Sequence, residues 1–337
     1  MADRARGDGG ASSLSAPPPG PGPLPPVPLA PCPFPPPPLR PGDTVAIVAP
    51  SGPPDPAEAE RGAGVLRGLG LTVVFGEHVT AAPAGHHRYL AASDAARAAD
   101  LQAAWCDPSV AGVVCARGGY GATRLPGLLD WAAMAAAGPK TLLGSSDITA
   151  LHQALAVRLG VAGCFGPMLT PRTLGGEQGP DPVTLGHLAS ALFGTPAPIH
   201  GTHALVPGQA VAPLAGGNLC LLAALCGTPD APRFAGRIVL LEDVNEAPYR
   251  IDRMLTQLIA AGAFDGVAGF ALGSWLRCGD PLPVLAELLT PFGVPVLAGL
   301  PVGHGRPQHC VWLGGFGVID TRSCSLTSLF RYSDQAM

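Results

Sequence analysis

Short apolar runs without polar interruption alternate with helical segments along most of this chain. A short apolar run that ends at glycine, proline or serine is typical of a strand buried on both faces. Strands that alternate with helices form βαβ units, in which the strands lie parallel in one sheet. The pattern therefore predicts an α/β fold. The predicted strands are 44–49, 71–75, 112–116, 140–144, 238–241 and 269–272, and the predicted helices are 57–69, 93–105, 148–159, 218–225 and 251–261.

Two regions break this alternation and divide the chain. Residues 1–41 are rich in proline, which neither continues a helix nor pairs as an internal strand, so we expect a disordered tail there. Residues 171–210 are rich in proline, glycine and threonine, and we interpret them as a linker between domains. These divisions predict an N-terminal α/β domain at 42–170 and a C-terminal α/β domain at 211–330.

Composition argues against several classes of partner. Hydrophobic residues make up 47% of the 337 residues, enough for a sizeable core. The formal net charge is −4 and no basic cluster stands out, so neither nucleic acid nor a membrane surface is expected as a partner. No apolar stretch reaches the roughly twenty residues of a membrane helix, and no secretory signal is recognised. The nine cysteines are scattered without a CxxC pair, which favours free thiols and a cytoplasmic protein.

The first candidate for chemistry is the junction of a predicted strand and a predicted helix at residues 142–149. A serine on such a tight turn projects its hydroxyl beyond the carboxyl end of the strand, as in a nucleophile elbow. The second glycine of that motif is absent here, and a serine at the start of a helix is also an ordinary N-cap. The residues alone leave both interpretations open, and they do not decide between Ser145 and Ser146.

Three further segments complete a set of reactive groups. Glycines within residues 116–121 expose backbone N–H groups that suit an oxyanion hole, although a tight turn has the same composition. Three carboxylates follow an apolar strand, at Glu242, Asp243 and Glu246, and His304 stands between two glycines where it contributes little to packing. A hydroxyl, an imidazole, a carboxylate and backbone donors are together the groups that acyl transfer uses.

Seven blocks of the sequence resemble the LD-carboxypeptidase family, which includes muramoyltetrapeptide carboxypeptidases and microcin C immunity peptidases. The resemblance covers about residues 42–320, and the blocks follow the order of the family. It implies a flavodoxin-like or glutamine-amidotransferase-like parallel sheet in the N-terminal domain and a smaller C-terminal α/β domain. The blocks are VAIVAPSGP (45–53), RGGYGATRLP (117–126), GSSDITALH (144–152), GPM (166–168), LAGGNLCLL (214–222), LEDVNEAPYRIDRML (241–255) and GLPVGHG (299–305).

The resemblance also implies a role for individual residues. Ser146, which directly precedes Asp147, is the nucleophile of the N-terminal domain. His304 is the general base and Glu242 is the acid that orients it, and both belong to the C-terminal domain. The backbone N–H groups of Gly119 and Asp147 form the oxyanion hole. No metal or cofactor is expected.

The implied reaction is hydrolysis of the L,D-amide bond that releases terminal D-alanine from murein tetrapeptides in cell-wall recycling, by a homodimer. A terminal carboxylate needs a cation, and Arg117 and Arg250 are the predicted substrate-binding residues, with Arg124 as a further candidate. One alternative is an immunity peptidase that cleaves peptidyl- or aminoacyl-nucleotides, for which Trp275 is a candidate base platform. Another is a catalytically idle binding protein on the same fold.

Overall fold

The computed structural model describes residues 35–80 and 87–329, and two β-sheets organise them. The first half of the chain consists of β1 (Thr44–Val48), α1 (Pro56–Gly68), β2 (Thr72–Phe75), α2 (Asp94–Cys106), β3 (Val110–Cys115), α3 (Trp131–Ala137), β4 (Thr141–Gly144), α4 (Thr149–Arg158) and β5 (Gly163–Phe165). The second half consists of α5 (Pro182–Phe193), β6 (Ile199–His200), β7 (His203–Val206), β8 (Gln209–Asn218), α6 (Leu219–Ala224), β9 (Ile238–Val244), α7 (Pro248–Ala260), β10 (Gly269–Leu276), α8 (Leu282–Leu289), β11 (Val296–Ala298), β12 (Val311–Leu313), β13 (Phe316–Asp320) and β14 (Ser325–Leu329).

The first sheet has the strand order β12-β5-β4-β3-β1-β2. Strands β1 to β5 are parallel, and β12 returns from the second half of the chain to pair antiparallel with β5. Within β1, Val45 and Ile47 belong to one core cluster, whereas Val48 and Ala46 belong to another. Burial on both faces explains why this strand is continuously apolar instead of alternating.

The second sheet has the order β6-β14-β13-β8-β9-β10-β11-β7. Its centre, from β8 to β11, is parallel, and the strands at both edges are antiparallel. The two-domain α/β architecture predicted from the sequence is therefore confirmed. In parallel sheets, functional groups collect beyond the carboxyl ends of the strands, and Ser146 and Glu242 lie at the carboxyl ends of β4 and β9.

Regular structure continues through residues 171–210, where the sequence predicted a linker. Helix α5 begins there, and β6 and β7 join the second sheet. Asp181 caps α5 by accepting a hydrogen bond from the Thr184 N–H at 2.9 Å, and Pro182 follows at the first helical position. An aspartate followed by proline is a helix-start signal from which this helix was predictable.

The predicted proline-rich tail falls mainly on residues 1–34, which lie outside the described residues. Packed structure nevertheless begins before residue 42. The Leu39 side chain is buried in the core of the first sheet, and its N–H donates to the Leu192 carbonyl oxygen at 2.8 Å. No helix within residues 35–80 and 87–329 is long and apolar enough to cross a membrane.

Candidate active site

Ser146 lies at the turn between β4 and α4. Its φ is +60°, in the left-handed region that residues other than glycine seldom adopt. Backbone strain of this kind at a strand-to-helix turn is what exposes the hydroxyl of a nucleophile elbow. Ser146 is partly exposed, whereas Ser145 is buried and its Oγ accepts a hydrogen bond from Gln308 Nε2 at 3.4 Å. Of the two adjacent serines, Ser146 has the geometry of a nucleophile.

The glycine loop after β3 packs directly against this serine. A Cβ atom on Gly118 would lie 2.9 Å from the Ser146 Cβ, 3.2 Å from its Oγ and 3.4 Å from the Asp147 backbone nitrogen. Only glycine allows so close an approach. The backbone that leads into Gly119 therefore lies beside the hydroxyl and beside the Asp147 N–H. This placement suits the predicted oxyanion hole, in which backbone donors face the developing charge.

Gly118→Ala is expected to lower kcat/KM by about 10² or more, because the added methyl group must displace either the loop or the serine. Loss of a single oxyanion-hole donor typically lowers kcat by about 10²- to 10³-fold. Steady-state kinetics and a melting curve test this prediction. Gly127→Ala is the matched control, since a Cβ at that position meets no atom within 4 Å. Equal activity of the two variants would contradict the prediction.

The Asp147 side chain forms hydrogen bonds with two loops that flank the turn at Ser146. Its Oδ2 accepts hydrogen bonds from Ser51 Oγ at 2.6 Å and from the Ala122 N–H at 2.8 Å. Burial raises the pKa of the Asp147 carboxyl, although both hydrogen bonds oppose that shift. The carboxylate thereby joins the loop after β1 and the glycine loop to the turn that carries Ser146.

Glu242 and His304 form a close pair at the carboxyl end of β9. The Glu242 side chain is fully buried, and its Oε2 lies 2.7 Å from His304 Nδ1. The same oxygen accepts the His304 backbone N–H at 3.2 Å. A Cβ atom on Gly303 would come within 2.2 Å of Oε2, so only glycine fits there. A carboxylate at Nδ1 selects the tautomer whose Nε2 is free to accept a proton.

The pKa of His304 reflects two opposing influences. Burial lowers the pKa, but the charge of Glu242, its hydrogen bond and the charge of Asp243 together outweigh burial and raise the pKa above the ordinary 6.5. The charge of Arg172 also acts to lower it. A raised pKa means that this pair stabilises the fold below the pKa of an unfolded histidine. That contribution is lost as pH rises through the folded value.

The pH profile of kcat/KM should show an acid limb with its midpoint above 6.5, because only the neutral imidazole accepts the serine proton. Asp243→Asn removes one of the charges that raise the pKa, so the midpoint should fall in that variant. Rate measurements across the histidine range on both proteins test the prediction. A midpoint that does not move would show that the Asp243 charge does not reach the imidazole.

Asn218 links the two halves of the site, a role that the sequence did not reveal. Its Nδ2 donates to Glu242 Oε1 at 3.2 Å and to Asp243 Oδ1 at 2.9 Å. Its backbone N–H donates to Thr149 Oγ1 at 3.0 Å, at the start of the helix that follows Ser146. Asn218 lies in one of the family-like blocks and caps α6, so the sequence indicated an N-cap but not these partners.

Asp243 is a second buried carboxyl beside the pair. Burial, followed by the charge of Glu242, raises its pKa to about 6. Its oxygens accept hydrogen bonds from Asn218 Nδ2 and from the Cys220 N–H at 3.0 Å. Asp243 is therefore held on Asn218 and the start of α6, while Glu242 carries the contact with His304.

The other side chains predicted from sequence have partners of their own. Arg117 Nη1 donates to the Pro53 carbonyl oxygen at 3.1 Å, and Arg124 forms an ion pair with Asp94 at 2.7 Å. Arg250 lies 3.5 Å from Glu246, so the third carboxylate of the block pairs with an arginine. The assignment of Arg117 and Arg250 to substrate binding stays a prediction.

Trp275, the candidate base platform, borders a cavity of about 370 Å³ on the C-terminal domain. Its lining is largely apolar and reaches Gly305 and Arg306, next to the histidine. Ser146, Glu242 and His304 do not line it. The cavity therefore borders the loop that carries His304 but does not contain the candidate catalytic side chains.

Two α/β domains, a serine at a strand-to-helix turn and a half-buried histidine paired with a buried glutamate define a two-domain α/β peptidase. The chain belongs to the LD-carboxypeptidase family. The N-terminal domain of that family matches residues 45–166, and its C-terminal domain matches residues 211–319. The resemblance inferred from the seven sequence blocks is confirmed.

Individual relatives agree with the family match. A Streptomyces coelicolor protein with a carboxypeptidase name is 46% identical over 301 residues, which cover 86% of this chain and 94% of that protein. The murein tetrapeptide carboxypeptidase of Pseudomonas aeruginosa is 34% identical, with 80% of this chain and 90% of that protein covered. The crystal structure of muramoyltetrapeptide carboxypeptidase from Oxalobacter formigenes is similar with a TM-score of 0.75 at 29% identity, covering 85% of this chain and 97% of that one.

Proposed function

We propose that the protein is a serine LD-carboxypeptidase that releases terminal D-alanine from murein tetrapeptides in cell-wall recycling. The observation that carries the proposal is the 2.7 Å contact between Glu242 and His304, tied through Asn218 to the helix that follows Ser146. The Pseudomonas aeruginosa relative, 34% identical, carries the name of this activity. A cytoplasmic location and a homodimeric state stay predictions.

The chemistry follows from the groups present. His304 Nε2 takes the Ser146 proton while Oγ attacks the carbonyl carbon of the L-centre, and the oxyanion accepts hydrogen bonds from the N–H groups of Gly119 and Asp147. His304 then gives the proton to the leaving amine, so that D-alanine departs and an acyl-enzyme remains. Water, deprotonated by the same imidazole, releases the tripeptide. Glu242 stabilises the imidazolium in both steps.

Incubation of the full chain with a murein tetrapeptide tests this function. Mass spectrometry should show loss of one alanine from the peptide that ends in D-alanine and no loss from the matched peptide that ends in L-alanine. Failure to cleave the D-form would contradict the proposal. Faster cleavage of an aminoacyl-nucleotide would indicate the immunity-peptidase activity instead.

A further inference from the structure

A peptidase that removes one terminal residue has to bind a carboxylate near its catalytic histidine, and an arginine is well suited to that task. During acylation, the imidazole donates a proton to the nitrogen of the leaving amine. The carbon of the terminal carboxylate is two covalent bonds from that nitrogen, about 2.5 Å away. A side chain that pairs with the carboxylate therefore has to stand a few ångströms beyond the His304 ring.

Arg172 is a cation whose carbonyl oxygen accepts a hydrogen bond from Arg306, two residues beyond His304, and whose charge acts to lower the pKa of His304. Its side chain is exposed, and within residues 35–80 and 87–329 its guanidinium has neither an ion pair nor a hydrogen bond. The three arginines considered from the sequence all have partners in the protein. Arg172 therefore combines proximity to the base with a guanidinium that is free to bind an anion.

The backbone around Arg172 is held against the histidine loop. Residues 170–175 form a tight turn, in which the Thr173 and Gly175 N–H groups both donate to the Thr170 carbonyl oxygen. The Arg306 guanidinium donates to the carbonyl oxygens of Arg172 and, at 3.1 Å, Pro171. Because Arg306 is only two residues beyond His304, this contact fixes the turn beside the catalytic base.

A free cation beside a catalytic histidine has an electrostatic consequence. Its charge opposes protonation of the imidazole, and this helps to keep the base neutral before substrate binds. A bound carboxylate would neutralise the cation, so the imidazolium that forms during the reaction would meet less repulsion. The arrangement therefore favours a base that becomes easier to protonate once an anionic terminus is present.

We propose, resting on the proposed function, that Arg172 binds the carboxylate of the terminal D-residue and that Arg306 is the positioning residue that holds Arg172 beside His304. Arg172 is a specificity determinant for peptides with a free carboxyl terminus. An arginine suits this task because its planar guanidinium matches a carboxylate with two parallel hydrogen bonds.

The experiment compares a murein tetrapeptide that has a free terminal carboxylate with the same peptide amidated at that terminus. Arg172→Gln should lower kcat/KM for the free carboxylate by roughly 10- to 100-fold, the range for loss of a hydrogen bond to a charged group. Cleavage of the amide should change little, so the preference of the wild type should disappear. Arg172→Lys should restore part of it. Arg306→Gln should raise KM for the free carboxylate and leave kcat nearly unchanged.

Arg233→Gln is the matched control, since Arg233 is exposed and precedes the amino end of β9, away from Glu242. Binding of both peptides to variants that also carry Ser146→Ala gives the same comparison if the amide is cleaved too slowly to measure. An equal loss on both peptides, or a selective loss in Arg117→Gln or Arg250→Gln instead, would overturn the assignment. If the wild-type protein cleaves neither peptide, that result contradicts the proposed function itself and is distinct from a wrong assignment of Arg172.

Discussion

Ser146→Ala is expected to lower kcat/KM by on the order of 10⁴ to 10⁶, the usual effect of removing a member of a catalytic triad. The φ of Ser146 is +60°, and the glycine loop at Gly118 packs closely against its side chain. Alanine keeps the shape of the turn but supplies no oxygen to attack the carbonyl. The melting temperature should change little, because the side chain is partly exposed.

Ser145→Ala is the matched variant, one residue earlier in the same turn. It removes a long hydrogen bond of 3.4 Å from the buried Gln308, at a cost of about 1 kcal/mol in stability. Most of the activity should remain. Labelling with a serine-directed covalent probe, followed by peptide mass spectrometry, identifies the reactive residue independently of rate. Label on Ser145, or an inactive Ser145→Ala beside an active Ser146→Ala, would reverse the assignment.

Local sequence patterns predicted the parts of the fold that depend on local structure. The apolar run at 44–49 predicted β1 because a strand covered on both faces has no polar positions. The strand, glycine and serines at 140–149 predicted the turn that carries Ser146. Strand β12 was missed because a segment of three residues carries little periodicity, and its pairing with β5 depends on a distant part of the chain.

The candidate site was only partly predictable, because its contacts join residues far apart in sequence. The block LEDVNEAP offers three carboxylates, and nothing local indicates which one faces the histidine. Successive side chains of a strand point to opposite faces of the sheet. In β9 the Glu242 side chain therefore contacts His304, and the Asp243 side chain does not. Asn218 was missed for the same reason, since its partners lie in other segments. Arg172 was missed because nothing local shows that its charge lies near His304.

Glu242→Gln is expected to lower turnover by about 10⁴, the effect of the equivalent acid-to-amide change in a serine protease with a Ser-His-Asp triad. Here Oε2 accepts from both His304 Nδ1 and the His304 backbone N–H, and Oε1 accepts from Asn218 Nδ2. A glutamine has one oxygen and one NH₂ group. It can therefore satisfy the partners of one carboxylate oxygen only.

Both orientations of the amide are unfavourable. If the NH₂ group faces His304, it meets the His304 backbone N–H, which is also a donor. It also donates to Nδ1 and so favours the tautomer with a proton on Nε2, and that nitrogen then cannot accept the proton of Ser146. If the NH₂ group faces Asn218, two donors meet in a buried site, which costs about 1–3 kcal/mol. In that second orientation the imidazolium also loses the negative charge that stabilises it. Turnover should therefore fall by orders of magnitude, while the melting temperature changes comparatively little.

Asp243→Asn and Glu246→Gln test the other two carboxylates of the block. Asp243 accepts hydrogen bonds from Asn218 and Cys220 and does not contact the imidazole, and Glu246 lies 3.5 Å from Arg250. Both variants should keep most of the turnover. Measurement of kcat for the three proteins, each with its melting curve, separates damage to the triad from damage to the fold. If Glu242→Gln keeps near-normal turnover while one of the others loses it, the acid that orients His304 has to be reassigned to that residue.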